Sequence, residues 1–398
     1  MRLNNPPITL PLPSKEELDS SQPLVNLVYH DIESNGGKLS FSEFMEKTLY
    51  APGIGYYNSD KQIFGNKGDF ITAPEMTPLF SRCIARQVQQ VLTELGGNAD
   101  IFEFGAGAGT MACDILIELE SQHSLPRYYY IGEISSTLKE RQATTIKQRI
   151  PHLLDRVIWV NDIPEGFRGV VLGNEVLDAM PVHRVRINQN KQHEELFVTY
   201  CDSRLEWLSS EPSSKLLKTT LDEIFEKFGN NLPDHYETEV NLSANKWIND
   251  IAQKIEQGLI LLIDYGFSET EFFRPERLEG TLMCHYRHCA HGDALTHIGL
   301  QDITSHVNFT AIAEAAHESG LTVNGFTNQT YFLISCGLES FLSEIDINDT
   351  KLFIKETQPV KQLILPDEMG DLFKVIAFTR NINQPLIGFA ANNDLERL

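Results

Sequence analysis

Across residues 14–34 and 40–50, Leu24, Leu27, Val28 and Ile32, then Phe41, Phe44, Met45 and Leu49, recur at helical spacing, which predicts two amphipathic helices. Pro52, Gly53 and Gly55 close the second. The next stretch, GYYNSDKQIFGNKGDFITAPE at 55–75, is too polar for a core strand and too aromatic for a passive linker. It reads as a binding loop, or as a surface loop anchored by Tyr56, Tyr57, Phe64 and Phe70. Pro74 then opens a helix carrying Leu79, Phe80, Ile84, Val88 and Val91, with Glu75 in its first turn.

From 101 onward the period alternates. IFEFG, a helix over 109–121, YYYIGEI, a helix over 135–149, RVIWVND and GVVLGNE follow one another. This pattern predicts a parallel sheet with helices on both faces and right-handed crossovers. Residues 182–208 alternate apolar and polar with breaks at NQN and CDS, as an antiparallel insertion does. Helices over 213–229 and 243–256 precede GLILLIDYG, which returns the chain to the parallel core. Residues 268–309 are polar, histidine-rich and poorly periodic, and they read as a second insertion. Helices near 309–319, 337–345 and 350–364 and strands near 327–335 and 373–379 complete the chain.

The expected architecture is therefore α/β and Rossmann-like, a mostly parallel twisted sheet with an N-terminal helical extension over 1–66. The core is expected to comprise 67–182, 243–267 and 309–398, with 183–242 and 268–308 as insertions into it.

Composition narrows the function. Hydrophobic residues make up 41% and charged residues 22% of the 398, as in folded globular proteins. The net charge of -22 disfavours nucleic acid and anionic lipid as partners and favours a basic one. No apolar run is long enough for a membrane span, and the N-terminus lacks the apolar core of a signal peptide. Six cysteines without a C-x-x-C pair read as reduced thiols, and a cytoplasmic location is expected.

The chemistry concentrates at 101–110, IFEFGAGAGT, where an apolar strand delivers Glu103 and then Gly105, Gly107 and Gly109 at alternate positions. Such a turn lets the backbone approach a ligand, with the free N–H groups of a helix start beside it. The dinucleotide fingerprint requires glycine at 110 and finds Thr110. Ligands of open α/β sheets lie at the carboxyl ends of the strands, where Glu133, Asp162, Asn174, Glu175 and Asp264 are expected. An acidic residue after the second strand commonly accepts ribose hydroxyls, which suits Glu133.

GYY at 55–57, GDFITAPE at 68–75, EFGAGAGT at 103–110, GEIS at 132–135, NEVLDAMPVHR at 174–184, DYG at 264–266, GTLMCHYRH at 280–288 and QDITSHVNF at 301–309 occur in the order seen in MidA-like class I S-adenosylmethionine-dependent methyltransferases. The chain resembles that family over roughly residues 25–380. The family includes the mitochondrial complex I assembly methyltransferase. The resemblance implies S-adenosylmethionine as methyl donor and a protein arginine as acceptor, with a respiratory complex I subunit as the suspected substrate.

It implies cofactor contacts from Thr72, Pro74, Glu75, Glu103, Gly105, Ala106, Gly107, Gly109, Glu133, Ile134, Asp162 and Asn174. Glu103 has the alternative of only bracing the glycine turn. Glu175, Asp178 and Glu75 are the catalytic candidates, since facing carboxylates hold a guanidinium bidentately. Helix capping or a surface ion pair is the competing role of these acids. Tyr57, Tyr286, His288 and His306 are the substrate-side candidates. The segment CHYRHCAH carries ligand-type residues, but its spacing matches no familiar zinc site, and no metal is expected.

Two departures from the family pattern stand out. The first motif more often reads ELGPGRG, and here its glutamate and glycines are kept. The familiar DITAHVDF reads DITSHVNF, so Asn308 replaces a carboxylate. Asn308 leaves open a cofactor-binding assembly chaperone without turnover, beside the second alternative of a methyltransferase for a small molecule or another side chain. A homodimer is compatible with either enzyme reading.

Overall fold

The computed structural model describes residues 10–59, 71–188, 192–202, 204–346 and 348–398. Most of the aromatic loop, including Phe64, Phe70 and the first three residues of GDFITAPE, lies outside the described residues, as do residues 1–9 of the N-terminal arm and part of the NQN break. The chain divides into two compact units, one of 71–178, 245–269 and 307–398, the other of 1–70, 179–244 and 270–306.

The first unit is built on one sheet. In chain order it contains α1 (Pro78–Leu95), β1 (Asp100–Phe104), α2 (Thr110–Ser121), β2 (Tyr129–Gly132), α3 (Ser136–Arg149), β3 (Val157–Val160), β4 (Phe167–Asn174), β5 (Ile255–Phe267), α4 (Phe309–Glu318), β6 (Thr322–Asn328), α5 (Gln329–Ser335) and β7 (Phe373–Arg380). The spatial order is β3-β2-β1-β4-β5-β7-β6. The strands from β3 to β5 are parallel, and β7 runs antiparallel to both β5 and β6. The strand order reverses between β1 and β4, which makes their carboxyl ends the switch point of the sheet.

Alternation along the strands sorts their side chains. Ile101, Tyr129, Ile131, Val170, Leu172, Leu259, Leu261 and Ile263 join a buried cluster with Phe80, Ile84, Val88 and Val91 of α1 and Ile115, Leu116 and Leu119 of α2. Phe102 and Phe104 belong to the opposite face, where Phe104 meets Trp247 edge-on at 4.8 Å.

The structure corrects the sequence-based expectation in three places. The helix expected from Pro74 is broken: Ala73–Met76 forms one turn, Thr77 is extended at φ −159 and ψ 142, and α1 begins at Pro78. The residue before a proline is pushed out of the helical region, and the Thr77 hydroxyl then caps Leu79 N–H at 3.3 Å. The strand expected near 327–335 is β6 ending at Asn328, followed by α5, whose N-terminus is capped by the Asn328 side chain on Tyr331 N–H at 2.9 Å. The stretch QTYFLIS is one of the short apolar runs in which periodicity does not separate strand from helix. The poorly periodic 268–309 region contains a small antiparallel sheet of Met283–Tyr286, Cys289–His291 and Asp302–Thr304.

In the second unit the helices Lys15–Ser34 and Phe41–Tyr50 each start with a capping box, Ser14 with Glu17 and Ser40 with Glu43. Val28, Ile32, Phe41, Phe44, Met45 and Leu49 pack with Leu39, Val198, Leu282, Cys284 and Ile303. The insertion over 182–208 is antiparallel as expected: His193–Cys201 pairs with His183–Ile187 and with Arg204–Ser210.

Candidate active site

The carboxyl end of β1 passes directly into the glycine turn. Gly105, Gly107 and Gly109 have φ of 65°, 52° and 81°, a conformation that side-chain-bearing residues rarely adopt. A Cβ on Gly105 would lie 2.9 Å from Val176 Cγ2, so the turn also needs glycine for its approach to the segment after β4. Gly109 is the N-cap of α2 and offers no side-chain cap, which leaves the start of that helix available to a ligand's negative group. Ala106 is buried within the turn and Pro74 is buried in the short helix whose N-cap is Thr72.

At the end of β2, the buried Glu133 is held at both oxygens. Oε1 accepts from Ser135 N–H at 2.9 Å, and Oε2 accepts from the Gln142 amide at 3.0 Å. The same Gln142 amide nitrogen donates to Gly107 O at 3.1 Å, and the Gln142 carbonyl accepts from Trp159 Nε1 at 2.9 Å. One fully buried glutamine of α3 thus ties the glycine turn, the β2 acid and β3 together. Burial pushes the Glu133 carboxyl above its ordinary range, while the Ser135 and Gln142 bonds pull it back. Gln142 and Trp159 were not anticipated from the sequence. Gln142→Ala is expected to weaken S-adenosylhomocysteine binding about tenfold by calorimetry, the scale of losing one buried hydrogen-bonding partner.

Glu103 is turned the other way. It is 1% exposed, on the core face of β1, and accepts from Tyr129 OH at 2.7 Å. Its carboxylate braces the strand. Burial pushes its pKa up to about 7 from an ordinary 4.5, with the Tyr129 bond opposing. A raised folded-state value means that the folded protein keeps a proton which the unfolded chain has released. This contribution is fully present below 4.5 and is lost as pH rises towards about 7. Glu103→Gln is therefore expected to raise Tm at pH 8, on the order of 3 kcal/mol of stability, and to leave it nearly unchanged near pH 4. Equal shifts at both values would contradict a buried, proton-holding Glu103.

The ends of β4 and β5 carry the acids. Asn174 donates to Glu175 Oε1 at 2.9 Å, and its own Oδ1 is buried without a hydrogen-bond partner among the described residues. Glu175 sits at φ 52°, a left-handed conformation unusual for a residue with a long side chain, and its N–H donates to Ile263 O at 2.9 Å. Asp264 Oδ2 accepts from Val176, Leu177 and Asp178 N–H at 3.1, 2.9 and 3.2 Å. Tyr265 OH donates to the Asp178 carboxylate. Burial, then the charges of Asp178 and Glu175, push the Asp264 carboxyl upward, while the N–H groups of Asp178 and Tyr265 oppose them; four N–H donors on its two oxygens favour the ionised form. The geometry therefore gathers Glu175 and Asp178 on one turn beside the glycine loop.

The remaining candidates fall in different settings. Glu75 is raised by burial and lowered by Arg141 of α3. Ile134 is 68% exposed, a large apolar side chain left in solvent beside Glu133. Asp162, after β3, is bonded by Lys254, which lowers its pKa, and by Ile163 N–H at 2.7 Å.

Tyr57, Tyr286, His288 and His306 belong to the other unit. Tyr57 OH donates to Asp302 at 2.8 Å, and Tyr286 OH to Glu17 at 3.2 Å. His306 N–H donates to Thr281 Oγ1 at 3.1 Å. His288 is exposed at φ 61° in a hairpin tip, next to Arg287 at φ 48°. In that hairpin Cys284 faces His291 and Tyr286 faces Cys289, and the described residues hold no group of three or more potential metal ligands.

Asn308 is the N-cap of α4, and its Oδ1 accepts from Ala311 N–H at 3.3 Å. Aspartate performs that task equally well. Asn308→Asp is expected to leave transfer rate and Tm nearly unchanged, and a large gain of activity would show that a carboxylate is needed there.

Alternate glycines in positive φ, an uncapped helix start, a pre-set acid after β2 and the unpartnered Asn174 Oδ1 suit an adenosine cofactor bearing an amino-acid end. Fold and site define a methyltransferase of the Rossmann-like kind. Residues 83–327 match the family described as "Putative S-adenosyl-L-methionine-dependent methyltransferase", and the chain belongs to it. It is an S-adenosylmethionine-dependent methyltransferase.

A Burkholderia thailandensis protein described as a "likely methyl transferase", crystallised with S-adenosylhomocysteine, is 39% identical, with a TM-score of 0.93 over 98% of this chain and 100% of that one. The mouse mitochondrial protein arginine methyltransferase NDUFAF7 is 27% identical over 402 residues, 91% of this chain and 86% of the mouse protein. Its Caenorhabditis elegans homologue is 26% identical over 373 residues, 86% of this chain and 83% of that protein.

The mouse and Caenorhabditis elegans relatives are named as mitochondrial, which overturns the cytoplasmic expectation. Scattered reduced thiols mark a reducing environment rather than one compartment. Among the described residues no helix is long and apolar enough to cross a membrane.

Proposed function

We propose that the chain transfers the methyl group of S-adenosylmethionine to an arginine side chain of a protein substrate. The observation that carries this reading is the match over 91% of the chain to a relative named a protein arginine methyltransferase. The acidic turn after β4 agrees with it chemically. A small neutral acceptor has no need of Glu175 and Asp178 on one turn, whereas a delocalised cation is held and oriented by carboxylates. The net charge of -22 suits a target arginine in a basic segment.

In this reading Gly105, Ala106, Gly107 and Gly109 lie under the methionine part, with Thr72, Pro74 and Glu75 beside them. Glu133 takes the ribose hydroxyls, Ile134 lies against the adenine, and Asp162 borders the adenine edge. Asn174 Oδ1 accepts from the α-ammonium group. The bound donor supplies an electrophilic methyl on a positively charged sulfur. A guanidinium nitrogen forms its bond to that carbon as the carbon–sulfur bond breaks, the electron pair leaves with sulfur, and the nitrogen's surplus proton passes to a carboxylate and on to solvent. Glu175 and Asp178 orient the nitrogen, so much of the acceleration comes from alignment.

A respiratory complex I subunit is the first substrate to examine. Mass spectrometry of proteomes with and without the gene tests the reading: at least one methylarginine site should disappear on deletion and return with the intact chain. Retention of every methylarginine site would contradict it.

A further inference from the structure

The acceptor turn does not hold itself. Glu175 stands in a left-handed conformation that its side chain disfavours, and the residues that fix it come from the end of β5, eighty-eight positions later in the case of Ile263 to Glu175's own N–H. Asp264 is 1% exposed, and a single oxygen, Oδ2, collects the three successive N–H groups of Val176, Leu177 and Asp178. Its second oxygen accepts from Tyr265 N–H at 2.9 Å. Tyr265 packs edge-on against Phe373 at 5.4 Å and sends its hydroxyl to the Asp178 carboxylate. A carboxylate is the one side chain of this size with acceptors at both positions; asparagine places an NH2 donor against either the turn or Tyr265 N–H.

We infer that Asp264 is the positioning residue of the methyl-acceptor site, holding the 175–178 turn so that Glu175 and Asp178 present their carboxylates together, with Tyr265 setting the orientation of Asp178. The inference rests on the reading that Glu175 takes the acceptor guanidinium. Asp264 acts through Glu175 and Asp178, and it takes no part in seating the donor.

The test is a double-mutant cycle on the full-length protein with Asp264→Asn, Glu175→Gln and their combination. Affinity for S-adenosylhomocysteine is measured by calorimetry. Single-turnover transfer is measured from tritiated S-adenosylmethionine to protein extract of cells lacking the gene. Asp264→Asn is expected to keep the affinity within about threefold and to slow transfer about 30-fold or more, as misplacing a positioned group does. If Asp264 works through Glu175, the combined variant transfers no more than about threefold slower than Glu175→Gln alone, because groups acting as a unit are not additive.

Slowing equal to the product of the two single effects, or wild-type transfer by Asp264→Asn, overturns the inference while leaving the role of Glu175 intact. Wild-type transfer by Glu175→Gln overturns the reading on which it rests. Tyr265→Phe keeps the ring and removes only the hydroxyl, so it carries the same cycle if Asp264→Asn does not fold. About fivefold slowing, absorbed in the Glu175→Gln background, supports the inference, and additive slowing overturns it.

Discussion

Gly105→Val is expected to abolish cofactor binding. Its φ of 65° excludes a β-branched side chain at modest cost, and the first added atom alone would stand 2.9 Å from Val176 Cγ2. Relieving this contact requires Val176 to shift, and its N–H is held by Asp264 at 3.1 Å. We expect S-adenosylhomocysteine affinity to fall by about 100-fold or more, the equivalent of losing two well-made polar contacts. The thermal shift that a saturating ligand confers on the wild-type protein should vanish with it. Far-ultraviolet circular dichroism should still report a folded chain, since the sheet below the turn is built from other residues. Native affinity in this variant would remove the glycine turn from the donor site.

Glu175→Gln should produce the complementary phenotype. Glutamine keeps the size of the side chain and an acceptor for the Asn174 amide, which bonds Glu175 Oε1 at 2.9 Å, so the turn is retained. What disappears is the charge that, in the proposed mechanism, orients the acceptor guanidinium. Donor affinity should stay within about threefold, and transfer should fall about 100-fold or more, within the range for removing a positioned acid or base. An undiminished rate would assign Glu175 to the structure of the turn, and Asp178 would then become the leading carboxylate.

Much of this site could be read in the sequence because its parts are constrained locally. Alternate glycines after an apolar strand signal a tight turn that lets a ligand approach the backbone, and the strand–helix count places Glu133 and Asn174 at the mouth of the sheet without any knowledge of contacts. The supporting residues could not be found that way. Gln142 is an ordinary polar residue of a helix until its amide meets Gly107, 35 positions earlier, and Asp264 reaches N–H groups 86 to 88 positions away. Nothing in local periodicity encodes such bonds.

Asn308 shows the opposite difficulty. Read as a lost carboxylate it puts turnover in doubt, whereas its position before Phe309 makes it a helix cap in which an amide oxygen serves as well. The misplaced strand near 327–335 had a local signal in Asn328, a strong N-cap residue, but the apolar run behind it fits either element. The break at Thr77 was written in Pro78, which denies the preceding residue a helical conformation.

The most direct measurement of the central claim is the chemical identity of the methylated product. Purified protein is incubated with tritiated S-adenosylmethionine and protein extract from cells lacking the gene, the labelled protein is hydrolysed to amino acids, and the tritium is followed by chromatography. The label should co-elute with methylarginine and be absent when Glu175→Gln replaces the wild-type enzyme. Label recovered in another amino acid, in a small molecule, or in no product at all would contradict the account.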